Sequence, residues 1–313
     1  MKILKKIAWT LIVIIMILGI LIGSQVKFDV PVETLKAEYA NEQSQFMTIN
    51  GMEVHFRDEG NGEPLVLLHG TAASLHTWDG WTEALKDSFR VIRLDLPAFG
   101  LTGPDPDHDY SIDNYIAVLN TFFDQLRLDS LTIAGNSFGG RIAIDYTLRH
   151  SDKVKKLILV DASWYKLEGE GAPSLGFKLA KHPILSRLVR WTTTRSLVKK
   201  SVYEVYGDDS KVTDDVIDRY YDMLLRQGNR AAFVGRVNTD YVDNNPAIKS
   251  IAQPTLILWG DQDIWTPTSH APLFERDIEG AKLIMYEGVG HIPMEEIPEQ
   301  SAEDVRRFLE ERK

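Results

Sequence analysis

Cysteine is absent from this sequence of 313 residues. Its absence excludes disulfide bonds, thiolate zinc sites and cysteine nucleophiles, and it leaves the cellular compartment open. Positive charge is also scarce, since 35 basic residues against 45 acidic ones give a formal net charge of −10. Nucleic acid is therefore not an expected partner, because contacts to phosphates need a basic face.

Signature motifs for metals and nucleotides are missing as well. The sequence contains no HExxH, Walker A or GxGxxG pattern. We therefore expect no metal site and no cofactor. The remaining composition is ordinary for a globular protein, with 44% hydrophobic and 26% charged residues, and it allows a sizeable core.

An uncharged apolar run, Ile7–Gly23, stands near the N-terminus and follows Lys2, Lys5 and Lys6. Basic residues before such a run favour a cytoplasmic N-terminus. No small-residue cleavage site follows the run. We predict that residues 1–23 anchor the protein in the cell membrane as a single-pass segment, with the catalytic domain extracytoplasmic. A cleaved signal peptide, with secretion, and a buried helix are the alternatives.

Short apolar runs alternate with helical patterns along the rest of the chain. Residues 24–45 are polar and are predicted to form a stalk, and Gly51 separates the two strands of a predicted hairpin. Ile112–Leu126 and Phe138–Leu148 show helical spacing. The predicted strands are Phe46–Asn50, Met52–Arg57, Leu65–His69, Val91–Asp95, Leu131–Asn136, Leu157–Asp161, Pro254–Trp259 and Lys282–Tyr286. This alternation predicts an α/β fold with a mostly parallel sheet flanked by helices.

One interval between predicted strands is too long for a simple crossover. Residues 164–250 are rich in helix formers and contain no convincing strand. A structureless loop of that length is improbable in a compact domain. We therefore predict an inserted helical cap over 164–250, and a core made of 46–163 and 251–313. The alternative is a set of helices that lies flat on the sheet without forming a lid.

The segment Gly135-Asn136-Ser137-Phe138-Gly139-Gly140 fits the pattern Gly-x-Ser-x-Gly. It lies directly after a predicted strand and before a predicted helix. A tight strand-to-helix turn needs small residues beside the serine, and it lifts the hydroxyl away from the sheet. The context favours Ser137 as a catalytic nucleophile.

A serine nucleophile needs a base, and the base needs an orienting acid. His291 follows the last predicted strand in Gly288-Val289-Gly290-His291, which predicts a position on a turn at the sheet edge. His69 is interpreted instead as a structural residue of the His-Gly turn. Asp263 follows the strand that ends at Trp259 and is the preferred acid, with Asp261 and Asp161 as alternatives.

Taken together, these segments resemble the α/β-hydrolase superfamily. The resemblance covers residues 46–313 and includes the order Ser, Asp, His, the serine turn, His69-Gly70 and the segment Asp95-Leu96-Pro97-Ala98-Phe99-Gly100. It implies an oxyanion hole made by the backbone N–H groups of Thr71 and Phe138, with Ala72 as the substitute for Thr71. Ala98 stands where the superfamily usually has glycine, which puts the local turn in doubt.

The resemblance also narrows the range of reactions expected for this chain. Haloalkane dehalogenases and epoxide hydrolases of this fold have aspartate at the nucleophile position, so Ser137 argues against both. The Gly-Asn-Ser-Phe-Gly-Gly turn is similar to that of meta-cleavage-product hydrolases, which cut carbon–carbon bonds. Those enzymes usually carry tryptophan after the catalytic histidine, whereas this chain has Ile292. Cofactor-free haloperoxidase-like members share the same triad.

The predicted function is therefore hydrolysis of a small-molecule ester, or another acyl bond, by a carboxylesterase- or lipase-like serine hydrolase. A carbon–carbon bond hydrolase is the first alternative. A catalytically inactive binding module on the same fold is the second. The sequence predicts no oligomeric state and does not identify the substrate.

Overall fold

An eight-stranded sheet forms the centre of the structure, a computed structural model that describes residues 26–166, 175–239 and 245–311, with seven isolated positions before residue 26. The strands are β1 (Ser44–Ile49), β2 (Met52–Glu59), β3 (Glu63–Leu68), β4 (Phe89–Leu94), β5 (Leu131–Asn136), β6 (Val154–Val160), β7 (Thr255–Gly260) and β8 (Lys282–Tyr286). Their order across the sheet is β1-β2-β4-β3-β5-β6-β7-β8.

The pairing of the strands confirms the predicted mostly parallel sheet. β1 and β2 form an antiparallel hairpin, and β2 is antiparallel to β4. Every other neighbouring pair is parallel. All six residues of β5 and all six of β7 are buried, as expected for strands covered by helices on both faces.

Helices cover the two faces of the sheet and fill the long interval between β6 and β7. The α-helices are α1 (Val32–Tyr39), α2 (Asp79–Leu85), α3 (Ile112–Gln125), α4 (Phe138–Arg149), α5 (Leu175–Lys181), α6 (Leu185–Thr192), α7 (Arg195–Val205), α8 (Asp214–Leu225), α9 (Asn229–Val237), α10 (Ala271–Asp277), α11 (Pro293–Glu296) and α12 (Pro298–Glu310). Short 3₁₀ helices occupy Leu75–Trp78, Asp209–Lys211, Asn245–Ser250 and Thr268–His270. Within the described ranges, α5 to α9 all lie between β6 and β7.

The sequence of α3 shows why these helices form and pack. The Ser111 hydroxyl caps the helix by accepting a hydrogen bond from the Asn114 N–H, at 3.3 Å. The apolar residues recur at helical spacing and face the sheet, where Phe122 is fully buried. Its ring meets the Phe56 ring of β2 edge-on, with 5.1 Å between centroids.

Part of the segment 24–45 packs against the rest of the chain. Leu35 of α1 is buried in a cluster with Leu101 and Met223. The Val30 N–H also donates to the Leu225 carbonyl oxygen at 2.8 Å. These contacts join the chain before β1 to the end of α8.

The described residues contain no helix that is both long enough and apolar enough to cross a bilayer. The predicted single-pass anchor, the membrane partner and the extracytoplasmic location built on it are therefore wrong. Most of the run Ile7–Gly23 lies outside the described residues. The prediction gave too much weight to the absence of charge: at about 1.5 Å per residue the run spans roughly 25 Å, less than the hydrocarbon core of about 30 Å.

The unusual alanine at position 98 occupies a left-handed backbone conformation, with φ of 83°. Glycine would adopt this conformation without strain, which explains the glycine usually found at this place in the superfamily. The turn forms nonetheless, because the Ala98 N–H donates to the Gly103 carbonyl oxygen at 2.7 Å. Alanine at position 98 is therefore compatible with the turn that the sequence had put in doubt.

The packing of α3 on the sheet yields a stability prediction. Phe122→Ala should lower the free energy of unfolding by about 3–5 kcal/mol, because it leaves a cavity under β2. Gln125→Ala on the exposed side of the same helix is the control and should change it by less than about 0.5 kcal/mol. Urea unfolding followed by circular dichroism measures both, and equal effects would contradict the packing described here.

Candidate active site

Ser137 stands at a sharp turn between β5 and α4. Its backbone has φ of 52° and ψ of −116°, a strained conformation for a residue with a side chain. A Cβ atom at Gly135 would lie 2.3 Å from the Gly139 carbonyl carbon, and one at Gly139 would lie 2.2 Å from the Leu68 carbonyl oxygen. The two glycines of Gly-x-Ser-x-Gly are therefore required by space, and the turn directs the serine away from the sheet.

His291 and Asp263 lie on the loops after β8 and β7 and are hydrogen-bonded to each other. The distance between His291 Nδ1 and Asp263 Oδ2 is 2.7 Å. Asp263 Oδ1 accepts the backbone N–H groups of Trp265 and Thr266, at 2.7 and 3.0 Å. These bonds hold the carboxylate in place and leave His291 Nε2 available as a proton acceptor.

The loop that carries His291 is fixed from three directions. The His291 N–H donates to the Val205 carbonyl oxygen of α7 at 2.8 Å, and the His291 carbonyl oxygen accepts a hydrogen bond from Asn136 Nδ2 at 3.0 Å. Glu296 Oε2 accepts the N–H groups of Gly290 and Gly207, at 2.8 and 3.0 Å. The sequence analysis did not predict these hydrogen bonds. Asn136 is adjacent to the predicted nucleophile in the sequence, whereas no motif indicates a role for Glu296.

A cavity of about 720 Å³ lies beside the predicted nucleophile. Ser137 and His291 line it, and no hydrogen bond joins their side chains within the described residues, as is common in unliganded sites. Thr71 and Phe138, the predicted oxyanion donors, line the same cavity, and so does the alternative Ala72. The Phe138 N–H begins α4 and so has no partner within that helix.

His69 is buried and does not line this cavity. Its Nδ1 lies 2.8 Å from the Gly70 carbonyl oxygen, and its Nε2 accepts the Leu96 N–H at 2.9 Å. This pattern describes a neutral imidazole with the proton on Nδ1. Burial lowers the pKa of His69, which agrees with a neutral side chain. The hydrogen bonds support the structural interpretation of this residue.

The two alternative acids occupy different surroundings. Asp261 is exposed, and its Oδ1 accepts the Gly288 N–H at 2.7 Å. Asp161 is fully buried at the end of β6, where its Oδ1 accepts the Gly260 N–H at 3.0 Å. Burial, and then the charge of Asp263, raise the pKa of Asp161 well above its usual range. The buried site therefore favours the protonated form of Asp161.

Asp161, Asp263 and His291 each offer one polar atom, and these atoms lie within 4.8 Å of one another. Such a cluster has the donor types that a small cation accepts. Both Asp263 oxygens are already engaged, however, by two backbone N–H groups and by the imidazole. The arrangement fits an acid that orients a histidine better than a metal site.

The family of the chain follows from its sequence and its fold together. A family model described as alpha/beta hydrolase fold matches residues 63–298, which is more than half of the chain. The chain belongs to this family and is a hydrolase with the α/β-hydrolase fold.

Its relatives span several activities. The chain is 27% identical over 292 residues to the 2-hydroxy-6-oxo-6-(2'-aminophenyl)hexa-2,4-dienoic acid hydrolase of Metapseudomonas resinovorans, which covers 88% of this chain and 96% of that protein. It is 29% identical over 281 residues to an uncharacterised protein of Mycobacterium tuberculosis, covering 85% and 81%. A solved membrane phospholipase A has a TM-score of 0.73 at 24% identity, covering 98% and 97%, and this likeness shows the fold alone.

The two buried carboxylates predict unequal effects of substitution. Asp263→Asn should lower kcat for a p-nitrophenyl ester by about 10⁴-fold, because it stabilises the wrong imidazole tautomer. Asp161→Asn should lower kcat by less than about tenfold, since Asp161 is not hydrogen-bonded to His291 and the asparagine amide oxygen can still accept the Gly260 N–H. Steady-state kinetics compare the two, and an equal or larger loss in Asp161→Asn would make Asp161 the orienting acid.

Proposed function

We propose that this chain is a serine hydrolase that cleaves a carboxylic ester, or another acyl bond, through an acyl-enzyme. One observation carries the proposal: the His291 imidazole, held by Asp263 at 2.7 Å, lines the same cavity as Ser137 on its strained turn. A hydroxyl is a weak nucleophile by itself and requires such a base.

In the first half-reaction, His291 Nε2 takes the proton of the Ser137 hydroxyl while the oxygen attacks the substrate carbonyl carbon. The carbonyl oxygen becomes an oxyanion and accepts hydrogen bonds from the N–H groups of Thr71 and Phe138. The removal of one such donor typically raises the barrier by about 3–4 kcal/mol. His291 then returns the proton to the leaving alcohol, and the acyl group remains on Ser137.

In the second half-reaction, water replaces the alcohol. His291 removes a proton from the water, which attacks the acyl carbon and passes through a second oxyanion. The carboxylic acid leaves and Ser137 regains its proton from His291. All groups that transfer protons in this scheme belong to the chain, so it requires no cofactor and no metal.

The proposal includes the domain division into a core of 46–163 and 251–313 and a helical cap of 164–250. Helices α5 to α9 contribute side chains to the cavity beside Ser137, among them Phe177, Val198 and Phe233. A cap in this position sets the shape of the substrate pocket.

A carbon–carbon bond hydrolase is the second candidate, because the relative from Metapseudomonas resinovorans is named as a dienoic acid hydrolase. Ile292 argues for the ester. It is buried and lines the cavity directly after His291, at the place where the carbon–carbon hydrolases usually have tryptophan.

A catalytically inactive binding module is the third candidate. The hydrogen bond between His291 and Asp263 argues against it, since a module that only binds has no need for an oriented imidazole. A fluorophosphonate probe separates the two cases, because it labels a serine only when that serine is activated. Labelling at Ser137 supports an enzyme, and the absence of labelling supports a binding module.

Ser137→Ala should abolish hydrolysis and leave the fold intact. The expected loss in kcat is about 10⁴-fold or more, as for other triad nucleophiles. Ser88→Ala, which removes an exposed hydroxyl that does not line the cavity, is the matched control and should keep wild-type turnover. Ester hydrolysis by the two purified variants is the measurement, and a tenth of wild-type turnover in Ser137→Ala would contradict the assignment.

The preferred substrate shows which type of bond the enzyme cleaves. Short- and medium-chain p-nitrophenyl esters should be turned over, and a 2-hydroxy-6-oxo-dienoate should not, because Ile292 replaces the usual tryptophan. The comparison uses kcat/KM for each substrate with the same enzyme preparation. Substantially faster turnover of the dienoate would reverse the ranking of the two functions.

A further inference from the structure

The cavity beside Ser137 is lined by positive charge. Within the described ranges, five basic side chains line it, and no aspartate or glutamate does. These are Arg141, Lys166, Lys181, Arg230 and Arg236. The whole chain, in contrast, has a formal net charge of −10. A cleft lined by one sign of charge concentrates ligands of the opposite sign.

Four of these basic side chains either pair with an acidic side chain or are exposed to solvent. Arg230 Nη2 lies 2.6 Å from Asp29 Oδ1, and Arg141 Nε lies 2.5 Å from Asp145 Oδ2. Lys166 and Lys181 are exposed at the edge of the cavity. Their charges are therefore balanced by the protein or by solvent.

Arg236, at the end of α9, differs from these four because it forms no ion pair with a described acidic residue and is not exposed. Its Nε is buried and has no hydrogen-bond partner. Among the described residues, Tyr115 and Arg141 are the charged or titratable groups that act on it, and neither is a carboxylate. Burial lowers the pKa of Arg236, but an arginine in a protein stays protonated. A cation without an acidic partner among the described residues, in a mostly apolar cavity, is costly unless a ligand supplies the opposite charge.

Arg236 lines the same cavity as Ser137 and packs against the side chain of the next residue. Its guanidinium carbon is 3.6 Å from the centre of the Phe138 ring, and Phe138 supplies one of the proposed oxyanion donors. Because Arg236 and Ser137 line one cavity, a ligand that fills this cavity contacts both residues. The fork of a guanidinium matches a carboxylate, to which it can donate two parallel hydrogen bonds.

We propose that the cavity takes a substrate that bears a carboxylate, which pairs with Arg236 while the scissile carbonyl occupies the oxyanion hole. This inference rests on the proposed ester hydrolysis and assigns its substrate class: half-esters of dicarboxylic acids, cleaved to the dicarboxylate and an alcohol. The reaction remains the hydrolysis described above, and Arg236 takes no part in proton transfer.

The test compares mono-p-nitrophenyl succinate and glutarate with the neutral p-nitrophenyl butyrate and valerate. The wild-type chain should prefer the anionic esters, by the ratio of kcat/KM. Arg236→Met should reduce that ratio by about tenfold to a hundredfold, the range expected for a hydrogen bond to a charged partner. Arg236→Lys should recover part of the ratio, and Arg149→Met, which removes a cation outside the cavity, is the matched control.

A structural role for Arg236 gives a different result. If this side chain only supports the Phe138 ring, Arg236→Met lowers kcat/KM for both ester classes in parallel and leaves their ratio unchanged. That outcome overturns the inference, as does a wild-type preference for the neutral esters. If Arg236→Met does not fold, the Arg236→Lys and Arg236→Gln variants carry the comparison.

A binding measurement separates this inference from the proposed function. Glutarate should bind Ser137→Ala and quench tryptophan fluorescence, since Trp164 and Trp265 line the cavity. The double variant Ser137→Ala, Arg236→Met should bind it at least tenfold more weakly. Glutarate binding without turnover of any ester would reject the hydrolysis and keep the carboxylate site. Equal binding by the single and double variants would reject the site.

Discussion

The contact between the turn after β5 and the end of β3 is the constraint on which the site depends. A Cβ atom at Gly139 would lie 2.2 Å from the Leu68 carbonyl oxygen, so α4 can begin this close to the sheet only with glycine there. That approach places Ser137 and the Phe138 N–H at the same edge. A wider turn would separate the proposed nucleophile from the proposed oxyanion donor, because both are fixed by the first residues of one helix.

The helices between β6 and β7 do more than line the cavity. The Val205 carbonyl oxygen accepts the His291 N–H, and Glu296 joins Gly290 to Gly207. The loop that carries the proposed base is thus fixed by the segment that shapes the pocket. A change in the packing of α7 would therefore also alter the position of the imidazole, so pocket shape and proton transfer are linked through backbone hydrogen bonds.

Charge distinguishes the cavity from the rest of the molecule. Basic residues are the minority in this chain, yet within the described residues they supply all the formally charged groups that line the pocket. Most of them have acidic partners or reach solvent, and Arg236 is the exception. Family membership establishes a hydrolase of this fold, but substrate choice depends on such local groups, since one fold hosts many activities.

The sequence by itself determined the sheet, its flanking helices and the serine turn. Apolar runs that alternate with helical patterns, and glycines on both sides of a serine, can be recognised within short segments of the chain. The sequence also predicted that Ser137, His291 and Asp263 act together; in the tertiary structure Ser137 and His291 line one cavity, and Asp263 is hydrogen-bonded to His291. Only the tertiary structure showed that Asp263, and not Asp161, is hydrogen-bonded to His291, and that Arg236 has no acidic partner among the described residues. Those features depend on contacts between residues far apart in the chain, and on burial, which no local pattern encodes.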